Sequence, residues 1–525
     1  MNRINRRTFL RTSLASGAAL ALPAAFGQAP AIIASERARP QAASGIQVGD
    51  VTGDRAIVWS RADRPARLVV ERAYRADFSD AVRVRGPLAL ETSDYTARVD
   101  LTGLPADREV FVRVMFESAS SERVLSEPLS GRFLTMPSKP RDVTFAWSGD
   151  TAGQGWGINA EWGGMKCYEA VRRDRPDFFI HCGDTIYADG PIQAEVKQAD
   201  GYVWKNLVTE EVSKVAETLK EFRGRYAYNL MDENVRRMSA EVPQIWQWDD
   251  HEVNNNWSDS KDLSADKRYT EKNEQLLVAR ATRAFLEYAP LRYHGADESE
   301  RVYRKISYGP LLDVFVLDMR SYRGANSYNR QEAPGPDAAF LGPQQLAWLK
   351  DGLARSRAQW KVVSADMPLS LLVEDGKDAQ GRMMFEAVAN GDGRPLGREF
   401  EFADLLSTLK KRKVKNVVWI TADVHYCAAH YYDPAKAQFT DFDPFWEFVG
   451  GPIHAGGFGP NALDNTFGPQ VMYQKAPGKV NASPTEGGQF YGLVKIDAKT
   501  GALKVQLKDL NAAVLYEKTL APKRG

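Results

Sequence analysis

The spacing of apolar positions changes character once along the chain. From about Ala43 to Met136, short runs alternate apolar with polar side chains: Ala56 to Trp59, Ala66 to Val70, Tyr95 to Val99 and Val110 to Val114. A period of two sends successive side chains to opposite faces, so these runs predict half-buried strands and a small all-β sandwich over residues 43–136. Gly53-Asp54, Gly103-Leu104-Pro105 and Pro128-Leu129-Ser130-Gly131 supply the breaks. Pro137-Ser138-Lys139-Pro140 is the expected linker, because its prolines stop both helix and sheet.

Beyond the linker, apolar runs alternate with helical periodicity, which predicts strands crossed over by helices across residues 141–525. Helices are expected over Cys167 to Arg173, Val203 to Ser239, Ala265 to Tyr288, Gly342 to Arg357 with Pro343 in the first turn, and Glu399 to Lys411. Gly450 to Gly468 should be loop, and Gln489 to Lys495, Ala502 to Leu507 and Ala513 to Lys518 should be closing strands. Six apolar runs share one form and end on aspartate: Asp150, Asp184, Asp250, Asp318, Asp366 and Asp423. Gly183 turns the backbone sharply just before Asp184, at the carboxyl end of its strand, where open α/β sheets bind ligands. Carboxylates gathered at such an edge cannot stay unpaired at low dielectric, so bound cations are the expected partners.

Composition changes this picture in few places. At 525 residues the chain is too long for one core. Lys plus Arg is 69 and Asp plus Glu is 68, which leaves no global basic field to hold a stable nucleic-acid partner. Three cysteines without CxxC spacing exclude a disulfide framework and a thiolate zinc site. Residues 1–30 read as a targeting segment: Arg6-Arg7-Thr8-Phe9-Leu10, then a modest apolar stretch from Leu14 to Leu22. This resembles a twin-arginine signal, whose export machinery carries folded proteins to a periplasmic or extracellular destination. No other run reaches the roughly 20 apolar residues of a membrane span.

The strand ends carry the chemistry. Ser148-Gly149-Asp150, Gly183-Asp184-Thr185-Ile186-Tyr187, Asp249-Asp250-His251-Glu252-Val253-Asn254-Asn255-Asn256-Trp257 and Asp423-Val424-His425 follow one another in this order. Together they resemble the calcineurin-like metallophosphoesterases, and specifically the PhoD-like alkaline phosphatase D family. Val51 to Trp59 and Leu317 to Arg323 resemble further segments of that family, so the resemblance covers nearly the whole mature chain. It implies an α/β two-sheet sandwich flanked by helices, preceded by a small all-β domain of immunoglobulin or fibronectin type.

The expected activity is hydrolysis of phosphate monoesters or diesters by metal-activated water. Two cations about 3.5 to 4 Å apart can clamp the attacking and leaving oxygens and lower the pKa of a bound water. Asp184, in the tightest loop, is the candidate bridging ligand, as the family's matching aspartate is. Asp150, His425 and Tyr187 would complete one ion; Asp250 and Asp423, helped by the Asn255 carbonyl, would hold the other. These donors favour harder ions, Fe3+, Mn2+, Zn2+ or Ca2+, and the resemblance implies iron with calcium. Three positions depart from familiar patterns: Asp150 stands where many members have cysteine, Ala152 where the wider group has histidine, and Asp423-Val424-His425 replaces His-x-His.

His251 is the candidate acid or phosphate contact, with Glu252 orienting its imidazole. Arg323, and Arg320 beside it, are candidates for binding a phosphate oxygen. His430 and His454 are candidates for the crevice lining, whereas alternation along its strand turns His181 to the opposite face. Asp318 and Asp366 have no role in the resemblance. Alternative readings are a phosphodiesterase or phospholipase D-type enzyme, a non-haem iron redox enzyme, whose usual two-histidine triad is not the pattern here, and a non-catalytic exported binding module.

Overall fold

In the computed structural model the described residues are 39–119, 124–258, 261–293, 300–391 and 393–523. The expected export segment lies outside them. The amino-terminal region is all β: β1 (Ile46–Thr52), β2 (Arg55–Arg61), β3 (Ala66–Ala73), β4 (Val82–Ala89), β5 (Thr96–Leu101), β6 (Glu109–Ser118) and β7 (Leu129–Leu134). Then come β8 (Val143–Ser148), α1 (Lys166–Arg173), β9 (Phe178–Cys182), β10 (Glu195–Lys197), β11 (Val203–Lys205), α2 (Leu219–Asn229), α3 (Glu233–Glu241), β12 (Gln244–Gln247) and α4 (Glu274–Tyr288). A second series follows: β13 (Arg304–Ser307), β14 (Leu312–Val316), α5 (Gly342–Arg355), β15 (Trp360–Ser364), β16 (Glu374–Lys377), β17 (Met383–Phe385), α6 (Glu399–Lys411) and β18 (Val417–Thr421). The chain closes with β19 (Cys427–Tyr432), β20 (Phe445–Val449), β21 (Pro469–Lys475), β22 (Phe490–Ile496), β23 (Leu503–Asp509) and β24 (Val514–Leu520).

Two large sheets dominate. One has nine strands in the order β24-β23-β22-β8-β9-β12-β1-β2-β5, the other seven in the order β13-β14-β15-β18-β20-β19-β21. Each has a parallel heart, β8-β9-β12 and β14-β15-β18. Strands covered on both faces read as continuous apolar runs rather than alternating ones, which is why these six were legible as buried. The inner faces share one core: Phe145, Trp147, Phe178, Ile180 and Ile245 from the first sheet, Val314, Val316, Val362, Val418 and Ile420 from the second. On the outside, Ala146 and Phe179 pack with side chains of α1 to α4, such as Val171, Phe222, Met238 and Phe285. Phe315, Val363 and Trp419 pack with Leu349, Leu353, Phe402 and Leu405 of α5 and α6. The result is the expected helix-flanked two-sheet sandwich.

Three expectations need correction. The single helix expected from Val203 to Ser239 is a strand and two helices. Thr218 starts α2 afresh through a capping box with Glu221, and the Asp232 side chain caps α3. Likewise α4 begins at Glu274, capped by Asn273, rather than near Ala265. Leu129 to Gly131 was expected to break the chain but belongs to β7, where a Cβ on Gly131 would stand 2.6 Å from the Ala240 carbonyl oxygen. That glycine permits close approach of α3, not a turn.

The amino-terminal strands divide between sheets. β4-β3-β6-β7 form a four-stranded sheet, while β1, β2 and β5 extend the nine-stranded one through a parallel pairing of Gly49 with Gln244.

Candidate metal centre

Parallel strands deliver their carboxyl ends to one edge, and the residues just past β8, β9, β12 and β18 are Asp150, Asp184, Asp249-Asp250 and Asp423. The backbone there leaves ordinary extended geometry at once. Asp150, Asp184, Asp423 and His425 all have positive φ, between 52° and 68°. Non-glycine residues take that conformation at a cost, and its clustering at one site is a mark of function. Gly183 is obligatory: its φ is 103°, and a Cβ would lie 2.4 Å from Cβ of Asp249.

Three groups converge with ligand atoms within 4.8 Å of one another: Asp150, Asp184 and His425; Asp184, Asp250 and His251; Asp249, Asp250 and Asp423. All are buried except His251 and Asp423, which are half-buried. Both carboxylate oxygens of Asp150, with Asp184 Oδ2, Asp249 Oδ2 and Asp250 Oδ1, have no hydrogen-bond partner. Buried carboxylate oxygens without donors are costly, so this donor set fits cations. Burial, with the neighbouring charges, pushes Asp150, Asp184, Asp249 and Asp423 well above the usual carboxylate range. For Asp250 burial acts the same way, but His251, Arg320 and the Asn256 N–H outweigh it and hold its pKa at about 2.

The imidazoles are fixed from behind. His425 Nδ1 faces the Gly456 carbonyl, which leaves Nε2 toward Asp150 Oδ1 at 3.6 Å and the Tyr187 hydroxyl at 2.7 Å. Burial lowers its pKa to about 4, so the ring is neutral, as a ligand must be. The Tyr187 ring lies against His251 with centroids 4.2 Å apart. Burial and the charges of Asp184 and Asp150 push its phenol well above 10. His251 takes the main-chain position that donates to Asp184 Oδ1 at 3.1 Å, and its Nδ1 meets Asp189 Oδ1 at 2.6 Å. Burial alone would lower the His251 pKa; Asp189, Asp250 and Asp184 reverse this and raise it well above 6.5.

Other expected residues stand elsewhere. Glu252 does not orient His251: its carboxylate accepts from Thr185 N at 2.6 Å, from the Thr185 hydroxyl and from Asp249 N at 2.8 Å. The orienting acid is Asp189, on the Tyr187-Ala188-Asp189-Gly190 turn. Arg323 is not available to a phosphate, since its buried guanidinium pairs with Glu386 at 2.8 Å and with Asn326 Oδ1 at 3.0 Å. Arg320 is equally buried among Asp249, Asp366 and Glu386. Asn255 is exposed, and its main-chain N–H donates to Asp189 Oδ2 at 3.1 Å. His430 pairs with Glu447 at 2.9 Å inside the second sheet, and His454 faces the Gly157 carbonyl at 3.1 Å, both fully buried. His181 meets Thr151 Oγ1 at 2.8 Å, on the outer face as alternation implied. Asp318 accepts from Trp248 Nε1 and Ser321.

A helix-flanked double sheet whose strand ends pool carboxylates and imidazoles is the architecture of a metal-dependent phosphoester hydrolase. The PhoD-like phosphatase family model matches residues 145–507, its amino-terminal-domain model residues 27–137, and the twin-arginine translocation signal residues 3–23. The chain belongs to the PhoD-like phosphatase family. It is 26% identical over 446 residues to alkaline phosphatase D of Bacillus subtilis (strain 168), covering 80% of this chain and 71% of that one. The solved structure of PhoD superposes with a TM-score of 0.68 at 21% identity, over 91% of this chain and 88% of that one. Purple acid phosphatase PPD1 from yellow lupin (Lupinus luteus) seeds gives 0.58 at 13% identity, over 92% and 74%. These two establish likeness of fold. The chain is a hydrolase of phosphoric esters routed through twin-arginine export, and among the described residues no helix is long and apolar enough to cross a membrane.

Proposed function

We propose that the enzyme hydrolyses small phosphate monoesters or diesters in the periplasm or outside the cell, with Asp150, Asp184, Tyr187 and His425 as ligands of one ion and Asp184, Asp250 and Asp423 of a second. The observation that carries this reading is the convergence of donor-less buried carboxylate oxygens from three strand ends, with Asp423 brought to them by a fourth. Asn255 would join the second ion only if its exposed side chain turns inward. The ions, when bound, supply Lewis acidity toward the phosphoryl group and a nucleophilic water at neutral pH. Family membership favours Fe3+ with Ca2+, and the oxygen and imidazole donors suit these or Zn2+ and Mn2+. His251, held by Asp189 through Nδ1, is the proton donor to the leaving oxygen or a direct phosphate contact. The two family matches on either side of residues 138–144 support an amino-terminal module ahead of the catalytic one.

The test is elemental analysis of purified enzyme and of Asp184→Asn, alongside turnover of a panel of phosphomonoesters, diesters and phospholipids. Loss of both metal and turnover in Asp184→Asn is expected. Full turnover by a metal-depleted variant would overturn the assignment, and the preferred ester in the panel decides the substrate class.

A further inference from the structure

Asp250 reaches the centre from the loop after β12, whose apolar side chains Trp248, Val253 and Trp257 are buried in the outer core while its polar side chains turn to the centre and to neighbouring loops. The Asp250 Oδ2 is taken by the main-chain N–H of Asn256, which leaves Oδ1 without a hydrogen-bond partner in a carboxylate that lies beside Asp184 and Asp423. What holds Asn256 therefore decides where that carboxylate points. Asn256 has a φ of 56°, a conformation asparagine tolerates better than most residues but which still needs support.

That support comes from the hairpin of β16 and β17. Asp375, in β16, accepts from Asn256 Nδ2 at 2.9 Å through one oxygen and from Asn326 Nδ2 at 2.8 Å through the other. Asn326 Nδ2 also donates to the Asn256 carbonyl at 2.8 Å, so Asn256 is gripped by side chain and main chain together. Behind it, Asn326 Oδ1 accepts from Arg323 at 3.0 Å and from Arg398 at 2.8 Å. Arg323 is fixed on Glu386 at 2.8 Å, and Arg398 on the Glu386 carbonyl at 2.7 Å. Lys261 faces Asp375 Oδ1 from 3.9 Å. The hairpin itself is tied to the Asn326 segment by the Phe385 N–H donating to the Ser327 carbonyl at 2.8 Å. Glu374, Gly376 and Lys377 are exposed, so burial does not account for this placement of Asp375.

We infer that Asp375 is a positioning residue: with Asn326 it clamps Asn256 and thereby presents the Asp250 carboxylate to the metal centre. The inference rests on Asp250 being a metal ligand. Groups that orient a metal's ligands typically change metal affinity or activity by about 10- to 100-fold when removed.

The experiment uses the full-length holoenzyme. Asp375→Ala, Asp375→Asn, the reciprocal pair Asn256→Asp with Asp375→Asn, and Asp250→Asn are compared with wild type. Metal content is followed by elemental analysis during timed exposure to a chelator, and kcat and KM are measured on para-nitrophenyl phosphate beside the melting temperature. Asp375→Ala should release one ion and lose kcat by about 10- to 100-fold relative to wild type, with KM near normal. The reciprocal pair restores an amide-to-carboxylate bond at 256 and keeps an acceptor for Asn326, so it should recover much of both losses. Should Asp375→Ala fold poorly, Asp375→Asn keeps the shape while removing one bond and carries the same expectation in milder form. Wild-type metal retention in the Asp375 variants overturns the clamp, as does a loss that follows melting temperature and is not recovered by the pair. If Asp250→Asn keeps all its metal, the ligand assignment itself fails; if only Asp250→Asn loses metal, the clamp alone does.

Discussion

Asp189, Asp250 and Asp184 raise the pKa of His251 against the opposing effect of burial. Since cations held by Asp184 and Asp250 would offset those two charges, Asp189 is the anion that keeps the imidazole protonated. The His251 pKa is raised, so the ion pair with Asp189 contributes stability that is complete below the ordinary histidine value of about 6.5 and is lost as pH climbs through the raised one. Asp189→Asn removes the nearest anion and lowers the His251 pKa, so the alkaline limb of kcat/KM should move to lower pH by about one unit or more. An unmoved limb would show that His251 is not the group being titrated. His251→Ala should lose turnover by about 10² to 10⁴ while elemental analysis finds its metals still present. Tyr187 provides a third check. A phenolate on Fe3+ absorbs visible light, so the purified enzyme should be coloured and Tyr187→Phe should be pale, whereas a colourless active enzyme rich in zinc or manganese excludes iron.

The candidate ligand aspartates were legible because each ends an apolar run, and His425 because it follows one of them by two positions. Asp189 and Asn256 were not, since an aspartate before glycine and an asparagine within a run of three are ordinary in turns. Arg323 was misjudged because a sequence does not disclose that Glu386 comes to meet it. The signal available for Asp189 was its place on the same short turn as Asp184 and Tyr187.

At the scale of elements, the runs that end on aspartate are all strands, because burial on both faces leaves a continuous apolar signature. The stretch from Val203 to Ser239 misled because helical composition continues across the break at Leu230 to Asp232, and only the capping residues mark it. The Gly183 turn is the element on which most depends. Gly183→Ala must relieve a contact of 2.4 Å with Asp249 and adopt a strained backbone. The variant should lose about 1 to 3 kcal/mol of stability by thermal or denaturant unfolding, and its metal binding should weaken with it. Unchanged stability would mean that the turn between β9 and Asp184 relaxes freely.

For the whole molecule, the order of motifs was enough to foresee the double sheet and its helical covers. The sharing of amino-terminal strands with the large sheet was not foreseeable, since strand partners depend on tertiary contact rather than on local pattern. Export is a separate, testable property of the intact chain. Replacing Arg6 and Arg7 together by lysine should leave active enzyme inside the cell, and undiminished export would show that another route serves it.

The strand that carries Asp150 also has a consequence in time. β8 lies between β9 and β22, and Trp147 pairs with Gly492 near the far end of the chain. Such distant pairings form late, because closing a long loop costs entropy before any contact repays it. His425 and Asp423 also emerge long after Asp150 and Asp184. A ribosome that has not yet reached β22 therefore holds a centre whose Asp150 strand still lacks one of its two neighbours.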